Sequence, residues 1–80
     1  MRIKLYGILK DLIGPEVKIG IDKPITVHEL LTLLNDMSGG NLREWLDKVR
    51  VAVNGEVVES AGAIIKPGDE VAVLPPSAGG

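Results

Sequence analysis

Glu70-Val71-Ala72-Val73-Leu74-Pro75-Pro76-Ser77-Ala78-Gly79-Gly80 joins two kinds of chain with no transition between them. Glu70 to Leu74 is a short apolar run that reads as a strand. Two consecutive prolines have no N–H to donate, so pairing into a sheet should stop at Leu74. Pro75 and Pro76 then favour an extended, polyproline-like path. Beyond them Ser77, Ala78, Gly79 and Gly80 carry tiny side chains or none. Residues 75–80, fully extended, reach roughly 20 Å from the strand end. The expected organisation is therefore a folded domain over residues 1–74 and a thin, flexible tail over residues 75–80 with a free carboxylate at its tip. Lacking Cβ atoms, Gly79 and Gly80 fit a channel too narrow for any other residue. The competing reading is an ordinary small, polar, disordered end. The abrupt stop of the strand argues against that reading, because the fold ends where the tail begins.

A terminal strand needs neighbours and a covering layer. Met1-Arg2-Ile3-Lys4-Leu5-Tyr6 alternates, with Ile3 and Leu5 on one side and Arg2, Lys4 and Tyr6 on the other, the pattern of a half-buried strand. Glu16 to Ile21 alternates again through Val17, Ile19 and Ile21, and the connection from Gly7 to Pro15, with about one helical turn at Ile8–Ile13, suits a wide antiparallel hairpin. Thr26-Val27-His28-Glu29 is a capping box. Val27, Leu30, Leu31, Leu34 and Met37 follow it at helical spacing, and Ser38-Gly39-Gly40 ends the helix. Asn41 and Glu44 repeat the capping pattern and predict a second short helix, Asn41 to Asp47, with Leu42 and Leu46 inward and Trp45 packing. Arg50 to Val53 is a strand, Asn54-Gly55 a hairpin turn, Glu56 to Val58 its return and Ser60 to Ala63 a loop. Lys66-Pro67-Gly68-Asp69 places Pro and Gly where a type II turn wants them.

A single amphipathic helix covers one face of one sheet, so the order of elements predicts a two-layer α+β domain. With Ile3, Leu5, Val51, Val53, Val71 and Val73 facing the helix, Lys4, Arg50, Ala52, Ala72 and Leu74 share the open face. That face has a small apolar centre and a basic rim, either a partner surface or an ordinary solvated sheet face.

Composition narrows the function classes. The chain has 80 residues, 45% of them hydrophobic, with no Phe and no Cys. A domain of that size buries only about 60–65% of its surface, so its aliphatic core must be efficient. Without Cys there is no disulfide, thiol nucleophile or Cys-ligated metal. No signal peptide is evident and no apolar run approaches the ~20 residues of a membrane span, so the expected location is the cytoplasm, away from the membrane. The formal charge of −2 and the scattered basic residues give no reason to expect nucleic-acid binding. His28 is the only histidine and sits at a helix start, so no metal site is expected. Asp69 and Glu70 are adjacent and point to opposite faces in a strand, which rules out a catalytic pair.

Three stretches taken together, Val51-Ala52-Val53-Asn54-Gly55-Glu56, Lys66-Pro67-Gly68-Asp69-Glu70-Val71-Ala72 and Pro75-Pro76-Ser77-Ala78-Gly79-Gly80, resemble the small, sulfur-carrying subunit of molybdopterin synthase, the MoaD family of the ubiquitin-like MoaD/ThiS superfamily. The resemblance spans the whole chain. It implies a ubiquitin-like β-grasp fold, with a mixed sheet of four to five strands, one main helix on one face, and parallel terminal strands. It also implies that Gly80 is adenylated by a ubiquitin-activating-enzyme-like adenylyltransferase using ATP, then converted to a thiocarboxylate. The tail would enter the active site of the synthase large subunit, within a heterotetramer, and pass sulfur to a cyclic pterin precursor. On that reading no cofactor is bound, the sulfur rides covalently on Gly80, and Pro75, Pro76, Ser77, Ala78 and Gly79 thread the channel. Members of the family often carry Phe in the last strand, where this chain has Val73 and Leu74, so the docking patch has a different shape.

The chain's own chemistry agrees. A carboxylate is a poor electrophile with no usable leaving group, and no nucleotide loop, metal cluster or nucleophile–base pair is present to activate it, so a separate enzyme must do so. Three other readings share some of these features. A thiamin-type sulfur carrier has the fold and the Gly-Gly end but tends to be shorter and to lack Pro-Pro. An archaeal ubiquitin-like modifier is joined through its terminal glycine, here Gly80, to lysines of target proteins. A plain interaction module would have an irrelevant tail.

Overall fold

The computed structural model describes residues 1–76. Its main sheet has five strands in the order β2-β1-β7-β4-β5: β1 (Arg2–Leu5), β2 (Glu16–Lys18), β4 (Arg50–Val53), β5 (Glu56–Val58) and β7 (Val71–Leu74). β1 and β7 are parallel, in register Ile3↔Val71, Lys4↔Ala72 and Leu5↔Val73. Every other pairing in the sheet is antiparallel. The first and last strands thus lie side by side in the middle of a mixed sheet, and α2 (Val27–Met37) is the main helix. This is the two-layer α+β arrangement, and the fold is the ubiquitin-like β-grasp.

The capping box starts α2 as expected. Thr26 Oγ1 accepts the Glu29 N–H at 3.1 Å, and the Thr26 N–H donates to Glu29 Oε1 at 3.0 Å. The Thr26 N–H, and after it the Thr26 hydroxyl, hold the Glu29 carboxyl below the usual range by favouring its ionised form. The helix ends in a Schellman motif. The Gly40 N–H donates to the Asn35 carbonyl at 2.9 Å and the Gly39 N–H to that of Asp36 at 3.1 Å. Gly39 and Gly40 both have positive φ, 71° and 89°, a conformation a side chain would resist. Val27, Leu30 and Leu34 are buried from the helix side, against Ile3, Leu5, Val51, Val71 and Val73 from the sheet. The short α1 (Ile8–Ile13) adds Leu9 to the same core.

Several expectations are corrected. Met37, placed on the apolar stripe, is 54% exposed because the stripe outruns the sheet at the last helical turn. Val53 is only partly buried, since it stands at the end of β4 beside the Asn54-Gly55 turn. In the alternating segment Glu16 to Ile21 the strand ends at Lys18; Ile19 still bonds Met1, its N–H donating to the Met1 carbonyl at 2.7 Å, and the Ile21 N–H then turns back to the Ile19 carbonyl at 2.9 Å. The second helix is absent. Residues 41–48 run as successive turns, Arg43 to Gly40, Trp45 to Leu42 and Lys48 to Trp45, each bonded three residues back. The donor captured there is the Leu42 N–H, held by Ser38 Oγ at 3.3 Å, while buried Leu42 anchors the segment to the core. Lys66–Asp69 does turn, with the Asp69 N–H on the Lys66 carbonyl at 3.0 Å, but Gly68 does not have the positive φ of a type II turn. A second, two-stranded sheet, β3 (Ile25–Thr26) with β6 (Ile64–Ile65), was not expected and buries Ile25 and Ile65.

Candidate functional site: the open sheet face and the exit of the C-terminal segment

Strand alternation places alternate residues of β1, β7 and β4 away from α2. The register puts Lys4 beside Ala72 and Ala72 beside Ala52, and Arg50 opposite Leu74. All five residues expected on the open face therefore lie together on it. Lys4 and Arg50 are exposed; Ala52, Ala72 and Leu74 are half-buried. The row continues to Val57 of β5, opposite Ala52 and 47% exposed. One residue beyond β1, Tyr6 is 46% exposed and, following the Leu5↔Val73 register, stands next to Leu74. The alternation of Met1–Tyr6 already placed Tyr6 on this side, but its place beside Leu74 appears only with the parallel pairing. A shallow concavity of about 660 Å³ lies over this face, and Lys4, Tyr6, Ala52 and Ala72 are among the residues lining it. The basic rim is partly neutralised, since Arg2 pairs with Glu16 at 2.7 Å.

At one end of the face two turns are locked together. Asn54 and Gly55 have φ of 53° and 85°, as a type I′ hairpin requires. Asn54 Nδ2 donates to Asp69 Oδ1 at 3.1 Å, and Asn54 Oδ1 accepts the Glu70 N–H at 2.9 Å. Asp69 Oδ2 accepts the Lys66 N–H at 2.8 Å. The backbone N–H of Lys66 and then the Asn54 amide hold the Asp69 carboxyl below its usual range. These residues brace the entry to β7 and play no evident chemical part.

At the other end β7 stops at Leu74, and Pro75 and Pro76 follow outside the sheet, both half-buried. Ser77, Ala78, Gly79 and Gly80, which carry the expected chemistry, lie outside the described residues. His28 is exposed near the start of α2. Among the described residues no cluster of His, Asp and Glu could hold a metal ion, and no helix is long and apolar enough to cross a membrane.

A mixed β-grasp sheet with one covered face, one open face and parallel terminal strands defines a ubiquitin-like protein. The ThiS family model matches residues 3–80, and the chain belongs to that family. No curated protein matches the sequence. Solved structures do. SAMP1 from Haloferax volcanii superposes with a TM-score of 0.79 at 26% identity, covering 99% of this chain and 97% of that one. A putative molybdopterin converting factor, subunit 1, from Pyrococcus furiosus gives 0.80 at 26% identity and 95% coverage of both chains. A chain from the complex of subunits 1 and 2 of the molybdopterin-converting factor of Helicobacter pylori gives 0.68 at 26%, covering 99% and 96%. The chain is thus a ThiS/MoaD-like protein of the sulfur carrier or ubiquitin-like modifier type.

Proposed function

We propose that the chain is a sulfur carrier of molybdenum cofactor (molybdopterin) biosynthesis, the non-catalytic small subunit of a molybdopterin synthase. The observation that carries the proposal is the match to the ThiS family over residues 3–80, which takes in the Pro-Pro-Ser-Ala-Gly-Gly segment as well as the domain. The likeness to a putative molybdopterin converting factor, subunit 1, supports the particular role, and the Helicobacter pylori complex of subunits 1 and 2 supports a large-subunit partner.

The chemistry follows from a terminal carboxylate. An oxygen of the Gly80 carboxylate attacks the α-phosphorus of ATP on the adenylyltransferase, and pyrophosphate leaves. A sulfur nucleophile at the oxidation level of sulfide then displaces AMP from the acyl carbon and leaves a thiocarboxylate. Within the synthase the tail, Pro75 to Gly80, threads the large subunit while Lys4, Arg50, Ala52, Ala72 and Leu74 dock, and the sulfur passes to the pterin. The large subunit supplies the catalytic groups.

The likeness to SAMP1 favours a second reading, a modifier joined through Gly80 to lysines of other proteins. Both uses begin with the same adenylate. Mass spectrometry of the protein from its native cell separates them. A terminal mass gain equal to sulfur replacing oxygen is expected of the carrier. Gly-Gly remnants on lysines of other proteins, with no thiocarboxylate, would replace it with the modifier.

A further inference from the structure

We propose that Gly7 is a positioning residue for the C-terminal segment: its bare α-carbon is the seat on which the Pro75 ring rests, and this contact sets the direction in which the chain leaves β7. The proposal rests on the carrier reading for its use, but on geometry for its existence. A Cβ placed on Gly7 would lie 2.8 Å from Pro75 Cγ, 3.4 Å from Cβ and 3.6 Å from Cδ. No real Cβ comes that close, and the atoms it would meet belong to a closed ring that cannot swing aside as a long side chain does. Gly7 also has φ 60° and ψ −137°, a conformation that favours glycine. Both features have one origin. β1 and β7 are parallel neighbours, so they finish at the same end of the sheet. There the chain after β1 must turn sharply into α1 just where the chain after β7 departs. Glycine allows the turn and the close approach together.

Pro75 is suited to the other half of the contact. Its φ is fixed by the ring, and it has no N–H to recapture in the sheet. Seated on Gly7, it converts the end of a strand into a defined exit vector. For a carrier whose reacting atom lies several residues further on, a changed vector at the base turns the segment away from the activating site. The exposed Tyr6 and Ile8 flank the seat in sequence, 46% and 38% exposed, so the base of the exit is also apolar.

The test uses the full chain with Gly7→Ala, Pro75→Ala, the double variant and Gly14→Ala. Gly14 is the control, because its φ of 118° also favours glycine but a Cβ there meets nothing within 4 Å. Nuclear Overhauser contact between the Gly7 α-protons and the Pro75 γ-protons is expected in the wild type. In ATP-dependent adenylation by the activating enzyme, Gly7→Ala and Pro75→Ala should each raise the KM for the carrier roughly tenfold or more with kcat little changed. The double variant should be no worse than the worse single one, because Gly7→Ala drives the ring off its seat and Pro75→Ala removes the ring, so both lose the same contact. Gly14→Ala should lower the melting temperature without raising KM. Absence of the Overhauser contact overturns the seat, whatever the activity. Gly7→Ala behaving like Gly14→Ala, or multiplicative effects in the double variant, overturns the positioning role. A wild-type protein that shows the contact but is never adenylated supports the seat and sinks the carrier reading.

Discussion

The carboxylate of Asp69 accepts the Lys66 N–H and the Asn54 amide, while Asn54 returns a bond to the Glu70 N–H. One half-buried side chain therefore ties the turn before β7 to the hairpin between β4 and β5. Both partners donate to the ionised form, so the folded state lowers the Asp69 pKa relative to the unfolded chain. A group whose pKa is depressed by folding contributes stability above its unfolded pKa and loses it as pH falls through the folded value. Asp69→Asn should therefore be less stable than wild type in urea at neutral pH, and the gap should narrow below about pH 4, near the ordinary aspartate pKa. A gap that stays constant from neutral to acid pH would mean the bonds act through geometry alone. Residues of this kind are hard to read from a sequence. Asn54-Gly55 and Pro67-Gly68-Asp69 announce two turns, but the cross-link between them depends on β4 and β7 being neighbours.

Elements were legible in proportion to how local their determinants are. α2 has its cap, its apolar spacing and its stop within one stretch; the cap and the stop appear as expected, and the stripe holds for Val27, Leu30 and Leu34 but not for Met37. The Asn54-Gly55 hairpin is equally self-contained. Asn41–Asp47 has a capping pattern too, but Gly39 and Gly40 redirect the chain, and the Arg43 N–H, a donor that an Asn41 cap could have taken, goes to the Gly40 carbonyl at 3.2 Å. The β3–β6 pair consists of two-residue strands, too short for any periodicity, and is defined by contact between distant segments. The helix packing makes a stability prediction. Leu34 is fully buried, at 0% exposure, in the core shared by α2 and the sheet. Leu34→Ala should cost about 2–5 kcal/mol in chemical denaturation, from lost transfer energy and the cavity left behind. A loss below about 1 kcal/mol would show that the helix repacks and that this face is not the core the burial describes.

For the whole molecule, the sequence revealed the open face through strand alternation, but the tail's exit seat at Gly7 needed the parallel pairing of β1 and β7. That division of the molecule yields two predictions about the proposed carrier. Ala72→Asp and Leu74→Asp put charge in the half-buried apolar centre of the open face, away from the core, so they should weaken binding to the large subunit in calorimetry while the circular dichroism stays native. Unchanged affinity would place the interface elsewhere. The sharper prediction concerns Gly80. The core residues and the pairings of the five-stranded sheet fall within residues 1–74. Pro75 and Pro76 separate them from the terminal glycines, so deleting Gly80 should leave the melting temperature unchanged. The same deletion moves the terminal carboxylate inward by one residue, roughly 3.5 Å, beyond the tolerance of an in-line attack. Gly79→Ile keeps the carboxylate in place but adds a branched Cβ to a segment that must enter a narrow channel, and should also impair transfer. Reconstitution with activating enzyme, ATP, a sulfur donor and large subunit, scored by pterin product, is the assay. Turnover at the wild-type rate by the protein lacking Gly80 would show that the terminal glycines take no part in the chemistry, and the domain would then act through its open face alone.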